Sequence, residues 1–531
     1  MAQPTSQSDT IHPTQSRTDI GHAKRRAKQL KRALADENTD AISRFSAVFG
    51  DRKSPAEANH ADCLHIIAIE SGAPSWPRLK MAIETASMNH QKRVSSIVRA
   101  VINGNFLMVR RLLELDPELM DAHPGLMAAF GHEKQLRACL EQTPVAAQAK
   151  LEGYPVIALL CFSKWHLHDP ATDTFVETQI RILELLLDHG ASINTMVLEE
   201  PGSDHGLSLL YGALGHAGNL KLAKALLKRG ANPNDNESLY HATELPHLDG
   251  VRLLFAHGAE VGHTNAFYRL LDRETVEGVK LFLEHGADPN APLYMHPSPE
   301  PMDERNALHH AIIRGRSAEV CQLLIEAGAD ATKPFNGRSP FALANSCGNQ
   351  DVARLLEGHG FASELDPAAK LMAAVCALDE RTAHKILNDH PGLVATLSHE
   401  DLSRQTELAM RASSLPALAL MVELGFDINI KGESDSPPIH SGAWWGHPEI
   451  VALYIKAGAK LDQINMFGGD TLGTAIHGST NCPDRENGDY IAVVNALLDA
   501  GAIIKPDQGH LEMGSDEVTL LLESRLEAAK A

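Results

Sequence analysis

Between residues 477 and 490 the chain gathers an imidazole, a thiol, carboxylates and a phenol: His477, Cys482, Asp484, Asp489 and Tyr490, with Ser479, Thr480 and Asn481 among them. An imidazole that takes a thiol proton produces a thiolate nucleophile, so His477 and Cys482 can be written as a hydrolase or transferase pair. A second cluster, Trp165-His166-Leu167-His168-Asp169 with Asp173, alternates imidazoles with carboxylates and can be written as a cation site. It lacks the second ligand pair at fixed spacing that metal sites carry. No Gly-x-Ser-x-Gly turn, phosphate loop or dinucleotide fingerprint accompanies either cluster. A loop joining two thin helices also gives little enclosure to exclude water or shift a pKa. The expectation is therefore no enzyme, no metal and no cofactor, with a Cys/His site in the 477–490 insertion as the alternative.

The elements that hold these clusters repeat. Leu186-Leu187-Asp188-His189-Gly190-Ala191 returns as Leu226-Leu227-Lys228-Arg229-Gly230-Ala231, Phe282-Leu283-Glu284-His285-Gly286-Ala287 and Leu324-Ile325-Glu326-Ala327-Gly328-Ala329, and further copies end at Gly258, Gly360, Gly425, Gly458 and Gly501. The interval is 33 residues from Gly425 to Gly458 and 32 from Gly328 to Gly360. A unit repeated at that period is a helix-turn-helix stacked on its neighbours. Ile450, Leu453 and Tyr454 recur at helical spacing and make the buried face of a second helix. The glycine of each Gly-Ala pair supplies the left-handed residue that closes it. Longer intervals mark insertions at 164–176, 292–303 and 479–488, with first helices ending near Phe162 and His477 and second helices starting near Gln179 and Asp489. Degenerate copies at 94–144 and 369–397 bring the total to about a dozen repeats.

Ser436-Pro437-Pro438-Ile439-His440-Ser441-Gly442-Ala443-Trp444-Trp445-Gly446-His447-Pro448-Glu449-Ile450-Val451 resembles the ankyrin repeat, with Pro437 where that family carries Thr. The resemblance covers roughly residues 94–505. It implies an all-α solenoid with short β-fingers whose concave groove binds proteins. By the same alignment the two variable positions at the end of each first helix face that groove. These positions hold Trp444 and Trp445, Ile313 and Arg314, Cys161 and Phe162, and His477 and Gly478. The resemblance also gives His309 and His440 the role of tying finger backbone to helix. Trp444, Trp445, His477, Ile313, Arg314 and Phe162, with Trp165 from one insertion and Asn481, Asp489 and Tyr490 as a polar rim from another, are the candidate binding residues. Large aromatics at such positions anchor interfaces because they bury much area with few rotatable bonds.

The chain's net charge is −20, and because residues 1–95 are net basic at +4, residues 96–531 carry −24. An acidic array repels phosphate backbones and favours a basic or neutral protein or peptide over nucleic acid. Seven scattered cysteines form no disulfide framework, which fits a reducing, cytoplasmic setting. No apolar run is long enough to span a membrane. Residues 1–20 read as a polar disordered tail. Residues 21–90 resemble a helical module that precedes ankyrin repeats in bacterial proteins, and read as an N-terminal cap whose Trp76 plugs the junction with the first repeat. The array then runs over 91–511, closed by a C-terminal helix at 512–531. The basic run Lys24, Arg25, Arg26, Lys28, Lys31 and Arg32 reads as a solvated face of a packing helix. The functional expectation is a monomeric, non-enzymatic scaffold or adaptor, with a secreted bacterial effector as a further alternative.

Overall fold

The computed structural model describes residues 19–50, 54–58, 60–168, 172–198, 206–262, 264–294, 300–505, 510 and 513–529. The chain divides into two compact units, one of residues 85–344 and 349–363, the other of residues 1–84, 345–348 and 364–531. Eight helix pairs make the first: His90–Asn103 with Phe106–Leu115, Pro124–Ala129 with Glu133–Gln142, Val156–Phe162 with Thr172–Asp188, and Leu209–Tyr211 (continued by the π-turn Gly212–His216) with Leu220–Lys228. Ser238–Ala242 with Asp249–Phe255, Ala266–Leu271 with Val276–Glu284, Ala307–Ile313 with Ala318–Glu326, and Pro340–Ser346 with Gln350–Gly358 complete it. The second unit adds Pro367–Cys376 with Glu380–Asp389, His399–Leu408 with Leu415–Glu423, Pro438–Trp444 with Pro448–Lys456, and Thr471–Asn481 with Tyr490–Asp499. Twelve pairs among the described residues match the count read from the periodicity. No helix among them is long and apolar enough to cross a membrane.

The repeated fragment is explained by one backbone motif. At Gly286 (φ 84°), Gly328 (φ 93°), Gly458 (φ 87°) and Gly501 (φ 99°) the chain turns left-handed. The next residue's N–H then reaches back five residues, as Ala287 to Phe282 O (3.0 Å), Ala329 to Leu324 O (2.9 Å) and Ala459 to Tyr454 O (2.9 Å). This satisfies carbonyls that a helix end leaves open. His189, His257 and His285 help from the side, each with Nδ1 on the carbonyl four residues before it at 2.8 to 2.9 Å. Second helices start under short polar caps, Asn105, Asn219, Thr275, Ser317 and Asp379 each accepting from the N–H three residues on. Finger asparagines then fasten one repeat to the next. Asn290 accepts from Asp330 N–H (2.8 Å) and donates to Gly328 O (2.8 Å), and Asn234 does the same to Glu260 and Gly258.

Fingers are short: Lys150–Leu151 pairs with Tyr154–Pro155, Met196–Leu198 with Gly206–Ser208, and single bridges join Tyr294 to Pro301 and Phe335 to Arg338. The 292–303 insertion thus lengthens a finger. Two boundaries differ from the sequence reading. The second helix expected from Gln179 starts at Thr172, because Phe175 and Val176 continue its buried stripe. The first helix expected to end near His477 runs to Asn481, Ser479 being buried with its hydroxyl on Ile476 O.

The N-terminal helices Ile20–Ala35, Thr39–Phe49 and His60–Glu70 bury Ala23, Ala27, Leu30, Leu34, Phe45 and Leu64 in one cluster, which also takes Trp76 (1% exposed). Trp76 was expected at the first repeat. It lies instead in a cluster whose distant member is Leu520 of the C-terminal helix Asp516–Ala529. That helix has two faces. Val518 and Leu522 complete the core of the last repeat, and Arg525 pairs with Asn495 and Asp499. Leu520 and Glu523 meet the N-terminal helices, Glu523 holding Lys24 at 3.0 Å. Arg26 and Arg44 both bind Glu70, so the basic run is partly spent on ion pairs. The tail boundary also moves, since Asp19 caps the first helix through His22 N–H and Ile20 begins it. The rest of the expected tail, residues 1–18, lies outside the described residues.

Two neighbouring glycines should respond oppositely to alanine. A methyl at Gly358 or Gly360 meets open space, but only Gly360 has positive φ (81°). Gly358→Ala, inside the helix, is expected to stabilise by about 0.5–1 kcal/mol. Gly360→Ala is expected to cost about 1–2 kcal/mol, both read from urea midpoints.

Candidate functional site

Pro438 opens its helix at a position where a missing N–H costs nothing. Ile439, His440, Ser441, Gly442 and Ala443 then point inward, which leaves Trp444 and Trp445 at the helix end. Gly442 permits close approach, since a methyl there would sit 2.9 Å from Ile450. The next first helix packs its Gly478 directly on the Trp444 carbonyl, where a methyl would lie 2.5 Å away. Tyr490 donates its hydroxyl to the same carbonyl at 2.7 Å, and Asp489 N–H bonds Gly446 O at 2.9 Å. Both tryptophans end half-buried, packed against the core from its edge. His477 is exposed with its ring 5.6 Å from that of Trp444. Exposed Asn481 bonds back to the His477 carbonyl and ring.

Trp444, His477 and Asn481 therefore come together, and Trp445 follows Trp444 with its carbonyl against Gly488. Tyr490 does not join them, because its ring is buried (6% exposed) and its hydroxyl is committed beneath the tryptophan. Asp489 is exposed, but its carboxylate caps the following helix at Ala492 N–H (2.9 Å). The nucleophile reading of Cys482 is overturned. The thiol is buried, and burial raises its pKa, the opposite of what thiolate formation needs.

The other insertion folds inward. Phe162 is buried (2% exposed) against Tyr154, Tyr211 and His216, and a methyl on Gly212 would collide with its ring. Trp165 is edge-on to Phe106 and Phe130, with ring centres 6.0 and 5.0 Å away. Lys164 N–H on Val101 O and Ser163 hydroxyl on Ala129 O pin the loop down. Phe162 is thus a core residue, and half-buried Trp165 is packed by the chain's own rings. The suggested cation cluster is dispersed as well: His166 is buried, His168 lies tilted against Trp165, Asp173 pairs with Lys221 at 2.6 Å, and Asp169 lies outside the described residues.

Ile313 and Arg314 are half-buried, and Arg314 leads to a feature that the sequence reading missed. Glu237 and Glu244 clasp His241 from both ring nitrogens at 3.2 and 2.7 Å, and Glu244 also holds Arg269. Arg269 meets Asp272 at 3.1 Å, and Asp272 accepts from His310 Nε2 (2.9 Å) and Arg314 Nε (2.8 Å). Successive first-helix ends therefore form a row of alternating charge across three repeats. Burial works against a charged His241, but the two glutamates outweigh it and raise the imidazole to about 9. Burial likewise opposes the Asp272 carboxylate, yet the His310 hydrogen bond and the Arg314 charge hold it well below the usual range. Burial lowers the pKa of His310, against the pull of Asp272. The usable signal was titratable residues recurring in the last turn of each first helix and just past it, at 241 and 244, 269 and 272, 310 and 314.

The resemblance implies a finger tie for His309 and His440, and His309 makes it. His309 Nε2 bonds the finger carbonyl of Lys333 at 2.9 Å, while its Nδ1 closes a capping box with Asn306. His440 reaches Thr474 of the next repeat at 3.3 Å.

Residues 271–364 match the family model described as ankyrin repeats, three copies. A 53-residue stretch is 40% identical to Protein fem-1 homolog C of Bos taurus, Mus musculus and Homo sapiens, spanning 10% of this chain and 9% of each relative. Among solved structures, the human ASB11 ankyrin repeat domain is 16% identical at TM-score 0.21, with 45% of this chain and 99% of that chain covered. The ankyrin repeat domain of Bcl-3 is 17% identical at TM-score 0.21, with 50% and 99% covered. The family match falls on the helix pairs from Val276–Glu284 to Gln350–Gly358. These are ankyrin repeats, and the all-α array of helix pairs with short fingers is an ankyrin-repeat fold.

The clasped imidazole makes stability depend on pH in a defined direction. Its pKa is raised from 6.5 in the free side chain to about 9 in the fold. The stabilisation is thus fully present below pH 6.5 and is lost as pH rises through 9. In urea titrations, the wild type should lose up to about 3 kcal/mol relative to His241→Gln between these limits, nearly all of it by pH ~10.

Proposed function

We propose that the chain is a non-enzymatic recognition scaffold binding a protein or extended peptide along its first-helix ends, with the strongest contact patch in residues 435–505. Ankyrin repeats are protein-interaction modules, and that general role follows from the family match. The observation that carries the specific reading is the half-buried tryptophan pair fixed from behind. Tyr490 and Gly478 fix the backbone at Trp444, so less backbone freedom is lost when a partner binds there. His477 and Asn481 supply polar contacts at the edge of the patch. The array between 91 and 511 acts as a monomer in the cytoplasm, with 21–90 and 512–531 as its caps. The net charge of −20 favours a basic or neutral partner at the tryptophan patch over nucleic acid. The resemblance of residues 21–90 to a module of bacterial proteins is what favours a bacterial setting. Secretion as an effector has no specific observation in its favour.

The test is co-purification from native cytoplasm with mass spectrometry, comparing wild type with Trp444→Ala/Trp445→Ala after equal helicity is confirmed. The expected outcome is a partner that is lost with the double variant. A partner retained by the variant contradicts the placement, and the absence of any partner contradicts the scaffold reading.

A further inference from the structure

In the unit of residues 85–344, the charge row is balanced partner by partner except at one guanidinium. Arg273 is exposed and directly follows the row's central Asp272. Its Nη1 donates to three carbonyl oxygens, Thr243 (3.3 Å), Glu244 (2.9 Å) and Leu245 (3.0 Å). These sit just past the preceding first helix, Ser238–Ala242, where carbonyls lack intrahelical partners. One nitrogen thus fixes the side chain. Nε and Nη2 make no hydrogen bond among the described residues, and no carboxylate there lies within ion-pair distance of Arg273.

Carbonyl oxygens anchor a guanidinium without cancelling its charge. The two remaining nitrogens lie on one edge of the plane, the fork that takes both oxygens of a carboxylate side by side. The flanking carboxylates are already engaged: Glu237 and Glu244 hold His241, and Glu274 takes Ser317 and faces Arg316 at 4.0 Å. Asp272 is shared among Arg269, Arg314 and His310, and Arg316 donates to the carbonyls of Arg314 and Asp272. Tyr240 lies 5.9 Å beneath Arg269 and gives the strip an aromatic floor.

We propose that Arg273 and the row from His241 to Arg316 form a second binding surface, which takes an acidic segment of a protein partner with one Asp or Glu carboxylate seated on Arg273 Nε and Nη2. The net charge of the whole chain does not forbid this. A short segment feels mainly charges within a Debye length of about 8–10 Å. A long nucleic acid would meet the acidic remainder, which favours a peptide over a polyphosphate. The surface uses residues of the 85–344 unit alone and takes a partner of opposite charge to the one proposed for the tryptophan patch.

The probe is a fluorescein-labelled Glu-rich peptide titrated by anisotropy at low and physiological salt, with a single-stranded oligonucleotide of equal charge alongside. Wild type should bind the peptide more tightly than the oligonucleotide and lose affinity as salt rises. Arg273→Gln should weaken peptide binding about tenfold or more, as expected for loss of a charge-assisted pair. Arg273→Lys, which keeps a donor for the carbonyls and the charge but lacks the fork, should restore only part of it and guards against a folding effect. Trp444→Ala/Trp445→Ala should leave peptide affinity unchanged, so the two surfaces fail or succeed separately. No peptide binding by wild type, equal affinity in Arg273→Gln, full recovery in Arg273→Lys, or tighter binding of the oligonucleotide each overturns the assignment.

Discussion

A helix pair about 30 residues long cannot bury its own apolar stripe; it needs the next pair to cover it. Nearly everything regular in this chain follows. Left-handed glycines return the chain at the same point of each unit, and finger asparagines fix the offset between units, so each stripe meets its neighbour in register. The same need acts at the last repeat. Val518 and Leu522 of the C-terminal helix cover it, and the N-terminal helices cover the outer side of that helix through Leu520 and Lys24.

Because stability comes from neighbour contacts, helix ends are free to carry other chemistry. Two solutions appear. Around Trp444 the scaffold presents large rings over a backbone locked by Tyr490 and Gly478. From His241 to Arg314 it presents charge, each group held by the repeats on either side. The thin layers that allow these surfaces also limit chemistry. Cys482 escapes water only by joining the core, where its thiol is harder to ionise. The loop at residues 163–168 packs down on the repeats, with Trp165 between Phe106 and Phe130.

The repeat architecture was legible because its signals are local: closing glycines, capping Asn, Asp, Ser and Thr, and stripes at helical spacing. Trp444, Trp445 and His477 were legible for the same reason, their positions being set by distance from Pro438 and Gly458. Three things were not. The start at Thr172 was hidden by polar residues around Phe175 and Val176, whose phase matches Ile182, Leu183 and Leu186. Burial of Phe162 and Tyr490 depends on which neighbour fills the space above them, and spacing within one unit does not encode that. The cluster that takes Trp76 draws Leu520 from more than 400 residues away, and an amphipathic stripe does not name the stripe it will meet.

The central claim is that the first-helix ends, not the outer second helices, are where this protein meets its partner. The most direct measurement is site-specific photo-crosslinking in native extract, with the crosslinker at position 477 and, as control, at exposed Glu449 on the second helix. The account predicts a discrete adduct from 477 and none from 449. An adduct from 449 with none from 477 would contradict it.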